Sequence, residues 1–294
     1  MKGGERDGDA QPRNTPSPSV DAIRRWLRTR ARATGLEALR ELADRHLVGP
    51  GPDPLTDLEA AWGAAPGEGR HYTPPGLAAR LLDEVLEPVL AERAASAEAE
   101  PALSTLRVLD PACGAGALLR PAARRVTERL AAAGSAFEVA AERAEQALVG
   151  LDVDPVALEL TALGLRLDRG PRGLDDPTTL RARLEARDAL DGPPPRSDRG
   201  PLFDVVLANP PWLSFSGRQA RPLAPVRRRA RAARFPSTRG WPCSHGAFLL
   251  RCLRSTAPGG RAGLLLPLGV AHQERFASLR AAARRMCSAV RVIE

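Results

Sequence analysis

The stretch 203–212, FDVVLANPPW, constrains the fold of this chain more than any other part of the sequence. Residues 204–208 are mostly apolar, and β-branched residues or leucine dominate, which predicts a buried strand. Asn209-Pro210-Pro211-Trp212 must end that strand, because each proline lacks an N–H and has a fixed φ. The chain therefore leaves the sheet as a stiff, extended loop.

The loop carries an amide at its start and a large aromatic ring at its end. The side chain of Asn209 offers an acceptor oxygen and two donor hydrogens. The ring of Trp212 offers a flat stacking face. Both features suit a planar substrate that bears nitrogen, although the same residues also fit a proline turn with a capping asparagine and a core tryptophan.

Composition limits the class of protein. The chain has 294 residues, of which 43% are hydrophobic, and this is enough for one large or two small domains. It contains no apolar run of transmembrane length and no signal-peptide core at its N-terminus, which predicts a cytoplasmic protein with no membrane partner. The four cysteines form no CxxC pair, so neither a disulfide framework nor a metal site is expected.

The positive charge is concentrated next to the NPPW loop. The net charge is +8, and residues 218–239 contain eight arginines without an aspartate or glutamate. A cluster of one sign beside a candidate active site indicates contact with a polyphosphate, and a solvated arginine-rich loop is the alternative. The candidate nucleic-acid-binding residues are Arg218, Arg221, Arg227, Arg228 and Arg229.

Two regions are expected along the chain. Residues 1–68 are predicted to form a disordered tail of about 18 residues and a small helical segment, with helices within 19–47 and 55–62. Residues 69–294 form the second, larger domain. It opens with a helix that starts at Thr73 as N-cap, followed by Pro74 and Pro75 in the first turn.

The larger domain alternates between strand and helix patterns. Strands are predicted at 106–110, at a segment ending at Asp152, at a third segment that ends with 187–190, and at 204–208 and 261–268, and a sixth strand begins at 290–293. Residues 180–185 are predicted as a helix or a short strand. Helices are predicted at 116–132, 137–146, 156–167, 245–257 and 273–286, with a helix stop and turn at 258–260. This alternation predicts a mostly parallel, doubly wound α/β sheet.

Polar residues follow the predicted strands at one edge of that sheet. Asp110, Asp152, Asp188 and Asn209 all fall at strand C-termini, where ligands of open α/β sheets bind. Gly114 and Gly116 permit a tight turn and a close approach of the backbone to a ligand. An acidic residue at the end of the second strand typically accepts hydrogen bonds from ribose hydroxyls in nucleotide-binding units.

The order of motifs resembles that of a known family. The segments are YTPP (72–75), DPACGAG (110–116), LDVDP (151–155), RDAL (187–190), ANPPW (208–212) and PGGRAGLLLP (258–267). Over residues 70–294 this order resembles the N6-adenine DNA methyltransferases of restriction–modification systems. The resemblance implies a Rossmann-like class I methyltransferase sheet, S-adenosylmethionine as cofactor, and duplex DNA with a flipped adenine as partner.

The resemblance also implies roles for individual residues. The residues expected to bind the cofactor are Tyr72, Thr73, Pro74, Asp110, Ala112, Gly114, Gly116, Asp152, Val153 and Asp188. Those expected to form the catalytic loop are Asn209, Pro210, Pro211 and Trp212.

The chemistry expected of this loop needs no strong base. The Asn209 side-chain oxygen and the Pro210 carbonyl would draw the hydrogens of the target amine out of the ring plane and localise its lone pair. Alignment and electrostatics would then supply most of the rate. Trp212 would stack on the base after it is flipped out of the duplex.

Two departures from the family leave alternatives open. Such sheets usually have seven strands, whereas this chain ends where the sixth begins, and no target-recognition region is evident. A truncated chain, a split subunit or an enzyme that depends on a partner is therefore expected. Methylation of cytosine N4, of RNA bases or of a protein glutamine amide, and a non-catalytic subunit, are the competing interpretations.

Overall fold

The computed structural model describes residues 20–45, 58, 73–169, 180–198, 200–217 and 220–294. The predicted tail at 1–18, most of the helix predicted at 55–62, Tyr72 and Arg218 lie outside these residues. The boundary predicted between residues 68 and 69 also lies outside them and stays a prediction. Within the described residues, no helix is both long and apolar enough to cross a bilayer.

The described elements follow the predicted alternation of helix and strand. The strands are β1 Val108–Asp110, β2 Leu148–Asp152, β3 Arg183–Ala186, β4 Phe203–Ala208 and β5 Thr256–Leu264. The helices are α1 Val20–Thr34, α2 Glu37–Arg45, α3 Pro75–Ala94, α4 Ala99–Ser104, α5 Leu119–Ala132, α6 Phe137–Gln146, α7 Pro155–Asp168, α8 Pro225–Arg234, α9 Ser244–Ser255, α10 Gly269–His272 and α11 Ala277–Met286. Two 3₁₀ turns span Pro236–Thr238 and Glu274–Phe276.

The five strands form one parallel sheet in the order β3-β2-β1-β4-β5. Side chains of β1 point alternately to its two faces, as the pleat requires. Val108 packs in a cluster with α3 and α5, whereas Leu109 packs in another cluster with α9 and α11. Helices therefore cover both faces, and the predicted doubly wound, parallel α/β sheet is confirmed.

The N-terminal helices pack on the larger domain. Trp26 and Leu27 of α1 share a buried cluster with Leu160 and Leu163 of α7. Beside this cluster, Arg30 donates two hydrogen bonds of 2.7 and 2.6 Å to the carboxylate of Glu159. Because α7 begins directly after β2, this contact links α1 to the edge of the sheet where the polar residues lie.

The third strand lies earlier in the chain than predicted. Residues 187–190 were predicted to end it, but β3 spans Arg183–Ala186. The N–H of Arg187, just past the strand, donates to the Asp152 carbonyl at 2.8 Å and to the Glu185 carbonyl at 3.0 Å. Asp188 then starts a turn, in which its own carbonyl accepts from Asp191 N at 3.1 Å. The side chain of Asp188 also accepts from Leu190 N at 2.9 Å, and this local bond favours a turn over a strand.

The fifth strand begins earlier than predicted, because the proline–glycine segment does not break it. β5 starts at Thr256, directly after α9, and pairs with β4 first at Phe203↔Thr256 and then at Val205↔Arg261. The predicted turn at 258–260 is thus an irregularity within the strand, where Gly259 adopts a φ of 77°. The predicted helix at 245–257 correspondingly ends at Ser255.

The prediction of a sixth strand is wrong. Residues 289–294 form no regular element and are exposed. Side-chain contacts hold them instead: Arg291 donates to Glu84 of α3 at 2.9 Å, and a ring nitrogen of His272 lies 2.9 Å from a carboxylate oxygen of Glu294. The alternation of valine and arginine at 290–292 has the strand period, but this segment pairs with none of the strands that the structure describes.

Candidate active site

The polar residues predicted at the strand ends converge on one cavity. This cavity measures about 550 Å³, within the range of small-molecule and cofactor sites. Asp152, Asp188 and Asn209 line it, together with Ala112 and Gly114 of the glycine-rich turn. Residues from the ends of four parallel strands meet here because those ends share one edge of the sheet.

The glycine-rich turn connects β1 to α5 and lies against β2 and α7. Gly114 and Gly116 have φ values of 53° and 90°, in the left-handed region that glycine tolerates best. Gly114 donates its N–H to Asp152 at 2.9 Å, and its carbonyl accepts from the hydroxyl of Thr161 at 2.9 Å. The helix begins at Leu119 rather than at the predicted residue 116, because these conformations are not helical.

The role of Thr161 was missed in the sequence. It lies within α7, where a threonine in an otherwise apolar stripe was the only available signal. Its side chain is fully buried, and its hydroxyl fixes the glycine-rich turn from a position 47 residues away along the chain. A buried hydroxyl in a helix usually bonds to its own backbone, so its partner here could not be read from local sequence.

Asp110 lies beneath the cavity rather than on its wall. It is 1% exposed, and one carboxylate oxygen accepts from Ala112 N at 3.0 Å. Burial raises its pKa to about 8 and the charge of Asp152 adds to the effect, whereas the Ala112 hydrogen bond acts in the opposite direction. Asp110 is therefore a carboxyl group that holds its proton at neutral pH.

Asp152 is a well-anchored acceptor on the cavity wall. Burial raises the pKa of its carboxyl, but hydrogen bonds from the N–H groups of Asp154 and Gly114 oppose this effect. The two oxygens accept from these groups at 2.9 Å each. Each carboxylate oxygen has two lone pairs, so both can also accept from a ligand hydroxyl.

Hydrogen bonds hold both ends of the predicted catalytic loop, at Asn209 and at Trp212. Asn209 donates a side-chain N–H to the hydroxyl of Thr73 at 2.9 Å. The indole N–H of Trp212 donates to the Leu265 carbonyl at 3.3 Å, while 49% of the residue stays exposed. Pro210 is buried beneath the loop, and Pro211 lines the cavity. The loop thus presents a fixed amide and an accessible aromatic face.

Thr73 does not act as the predicted helix cap. The N-cap of α3 is Pro74, no side chain caps this helix, and Pro75 is its first residue. Pro74 is exposed, and neither it nor Thr73 is among the described residues that line the cavity. The hydroxyl of Thr73 bonds to Asn209 and does not cap the helix that follows it.

Ser244 is a second residue that the sequence did not identify. It is buried at the start of α9, and its hydroxyl contacts the Pro211 carbonyl and accepts from Leu213 N at 2.9 Å. Its own N–H donates to the Leu213 carbonyl at 2.9 Å. A serine before a predicted helix is read as a cap, whereas here it ties the NPPW loop to the helix.

The arginine-rich segment contains a helix where a loop was predicted. Residues 225–234 form α8, with Pro225 in the first turn and many alanines and arginines, which are good helix formers. Arg227 and Arg231 are one turn apart and line the cavity. Arg228 and Arg229 are exposed and are not among the described residues that line it. Arg221 also lines the cavity.

Ion pairs attach α8 to the rim of the cavity. Arg227 and Arg231 donate to the same oxygen of Asp188 at 2.7 and 2.5 Å, and both also contact Asp191. Burial works against ionisation of Asp191, but the hydrogen bonds and charges of the two arginines lower its pKa. Asp188, predicted to bind cofactor, and Arg227, predicted to bind nucleic acid, are thus partners of each other.

The chemistry of this lining fits S-adenosylmethionine. That cofactor bears an ammonium, a sulfonium, ribose hydroxyls and an adenine amine, which are cations or hydrogen-bond donors. The cavity offers the carboxylates of Asp152, Asp154 and Asp188 as acceptors. Val153 and Phe248 add an apolar surface on which a purine ring can pack.

Comparison with known proteins assigns a family. The family model described as N-6 DNA Methylase matches residues 59–278, about three quarters of the chain. No curated protein matches the sequence.

Solved structures share the fold. A class I S-adenosylmethionine-dependent methyltransferase from Listeria monocytogenes is 18% identical, with a TM-score of 0.51 over 90% of this chain and 70% of that one. The type IIL restriction-modification enzyme MmeI, in complex with DNA, is 14% identical, with a TM-score of 0.58 over 85% of this chain. The ATP-dependent type ISP restriction-modification enzyme LlaBIII, bound to DNA, is 12% identical, with a TM-score of 0.54 over 86%. This chain spans 38% of the MmeI chain and 20% of the LlaBIII chain.

Proposed function

Because this chain belongs to the N-6 DNA Methylase family, we propose that it transfers a methyl group to the exocyclic N6 amine of adenine in DNA. It is a methyltransferase that uses S-adenosylmethionine. The observation that carries the proposal is a single cavity whose wall contains both Asp152, beside the glycine-rich turn, and Asn209 of the NPPW loop. Cofactor and target amine would therefore be held within one site.

The glycine-rich turn and the strand-end carboxylates would hold the cofactor. Asp152 accepts from ribose hydroxyls, and Val153 packs on the adenine ring. Ala112 and Gly114 let the backbone approach the methionine end, with Asp110 beneath. Asp188 accepts from the adenine amine while it keeps its bonds to α8. When bound, the cofactor supplies an electrophilic methyl group on a positively charged sulfur.

The NPPW loop would prepare the target amine. Its nitrogen is a poor nucleophile because the lone pair is conjugated with the ring. The Asn209 side-chain oxygen and the Pro210 carbonyl accept its two hydrogens and localise that lone pair. The nitrogen would then take the methyl group from the sulfur of the cofactor, and it would lose one proton to water. Positioning and electrostatics supply the rate, so no strong base is needed.

DNA is the proposed partner. A base flipped from the duplex would stack on the ring of Trp212, whose exposure leaves one aromatic face accessible. Arg228 and Arg229 lie on the outward side of α8, where guanidinium groups would contact phosphates. Arg218 and Arg221 are further candidates from the same segment.

We further propose a role in restriction–modification, with a separate region or subunit that recognises the target sequence. The support is the likeness of the fold to MmeI and LlaBIII, both described as restriction-modification enzymes bound to DNA. This chain covers less than half of each of those chains.

Transfer of labelled methyl from S-adenosylmethionine to unmethylated duplex DNA tests the proposal, with nucleoside analysis of the product. We expect label in N6-methyladenine. Asn209→Ala should abolish the transfer, while Asn14→Ala, the same substitution at the chain's other asparagine, should not.

Other outcomes would redirect the assignment. Label in N4-methylcytosine would replace adenine with cytosine as the target. Label absent from DNA but present on RNA or on a glutamine-containing peptide would refute the DNA substrate. Cofactor binding without transfer to any of these acceptors, even with cell extract added as a source of partner, would favour a non-catalytic subunit.

A further inference from the structure

The Asn209 amide is held by a residue from the other end of the domain. Its side-chain nitrogen donates to the hydroxyl of Thr73 at 2.9 Å across 136 residues of sequence. Thr73 is 5% exposed and lies one residue before the N-cap of α3, and its side chain does not cap that helix. The hydroxyl is thus directed at the amide rather than at its own helix.

We propose that Thr73 is a positioning residue for methyl transfer, which holds the Asn209 amide by its nitrogen and so leaves its oxygen to accept from the target. An amide has one accepting end and one donating end. If the donating end faced the target amine, two donors would oppose each other. The Thr73 hydroxyl accepts from the nitrogen, so the oxygen of Asn209 is the end that remains to accept hydrogen from the target. This inference rests on the proposed function for its catalytic consequence.

The two residues are carried by elements that are firmly packed together. Ala78, Leu82 and Val85 of α3 are buried in the same cluster as Val205 and Leu207 of β4. The backbone just before α3 is thereby held at a fixed distance from the end of β4, where Asn209 follows. A hydrogen bond between residues that directly flank two packed elements can fix a side chain better than a bond between long loops.

The position of Thr73 separates this role from direct cofactor binding. Thr73 is not among the described residues that line the cavity, and its hydroxyl points to Asn209. Loss of the hydroxyl should therefore lower kcat and leave cofactor affinity nearly unchanged. A residue that bound cofactor would show the opposite pattern.

Two variants of the full-length chain provide the kinetic test. Thr73→Val removes the hydroxyl with little change in shape, and Thr73→Ser retains it. We expect Thr73→Val to lower kcat by about tenfold to a hundredfold, the range for lost alignment of one group, while the Kd for S-adenosylmethionine by calorimetry changes less than about twofold. Thr73→Ser should restore most of the activity. Equal losses in both variants, or a loss in cofactor affinity alone, would overturn the proposal.

A second measurement does not depend on activity. Asparagine-selective ¹⁵N labelling yields side-chain NH₂ signals from Asn14 and Asn209 alone, and Asn14 is the internal reference. In Thr73→Val the Asn209 signals should shift and their hydrogen exchange should accelerate, by about tenfold if one protecting hydrogen bond is lost. Thr73→Ser should retain the native signals, and those of Asn14 should stay the same in both variants.

The two measurements distinguish two kinds of failure. If the native chain methylates no acceptor but the Asn209 signals respond as expected, the proposed function fails and the positioning of the amide by Thr73 stands. If the native chain methylates DNA but the Asn209 signals are the same in Thr73→Val, the positioning role is refuted and the proposed function stands.

Discussion

Asp110→Asn should stabilise the folded chain at alkaline pH. Asp110 ends β1 with 1% of its surface exposed, and burial together with the charge of Asp152 raises its pKa from 3.8 to about 8. An asparagine has nearly the same shape as the protonated carboxyl, and its oxygen can still accept from Ala112 N. The substitution therefore removes the cost of ionising this group and changes little else.

The direction in which stability changes with pH follows from proton linkage. Between pH 3.8 and about 8 the folded state keeps the Asp110 proton, whereas the unfolded state has lost it. The unfolded state then binds fewer protons, so the free energy of unfolding falls as pH rises through this window and levels off above it. The difference of about 4 pKa units, at about 1.4 kcal/mol each, sets an upper limit of roughly 6 kcal/mol. Relaxation of the protein around the charge lowers this limit, and we expect Asp110→Asn to raise the free energy of unfolding at alkaline pH by about 2–4 kcal/mol.

Urea unfolding of the native chain and Asp110→Asn at several pH values tests this prediction. The two proteins should differ least near pH 5, and the advantage of the asparagine variant should grow until about pH 9. Asp198→Asn, at a side chain that is 97% exposed, is the matched control and should show no such growth. If the difference between Asp110→Asn and the native chain is the same at pH 5 and pH 9, burial does not hold Asp110 protonated.

Two further predictions concern the walls of the cavity. Gly116→Ala should destabilise the fold by about 1–3 kcal/mol and weaken cofactor binding, because φ is 90° at this position and the new Cβ would lie 3.1 Å from Thr161. Thermal unfolding would measure the loss of stability, and calorimetry would measure the weaker binding. An unchanged Tm would contradict the prediction. Arg231→Gln should loosen α8 and speed proteolysis within residues 218–234, because Arg231 forms ion pairs with both Asp188 and Asp191. Arg228→Gln, on the exposed side of α8, is the control and should not speed proteolysis. Equal cleavage of the two variants would contradict the attachment of α8 by Arg231.

Local sequence predicted the elements that form the sheet edge. The helix at 137–146 has the predicted bounds, and the strands ending at Asp110, Asp152 and Ala208 end where predicted. The ends of these strands can be predicted because the proline and glycine that follow them disfavour further regular strand pairing. At 290–293 the alternating pattern alone did not predict the structure correctly, because no partner strand is present there among the described residues.

Two predictions of local structure were wrong: the turn at 258–260 and the loop in the arginine-rich segment. Pro258-Gly259-Gly260 predicted a turn, but β4 pairs on both sides of this segment and absorbs it as an irregularity. The arginine-rich segment was predicted as a loop. Its alanines and Pro225 favour a helix, and Asp188 and Asp191 neutralise its inner face.

The fold class, the family and the edge of the sheet that forms the cavity could be predicted from the chain alone, because strand ends and motif order are local patterns. The hydrogen bonds from Asn209 to Thr73, from Thr161 to the glycine-rich turn and from Arg231 to Asp188 could be found only in the folded molecule. These pairs join residues that are 43 to 136 positions apart. A hydroxyl or guanidinium has several possible partners, and only the packing of helices on the sheet brings one of them within hydrogen-bond distance.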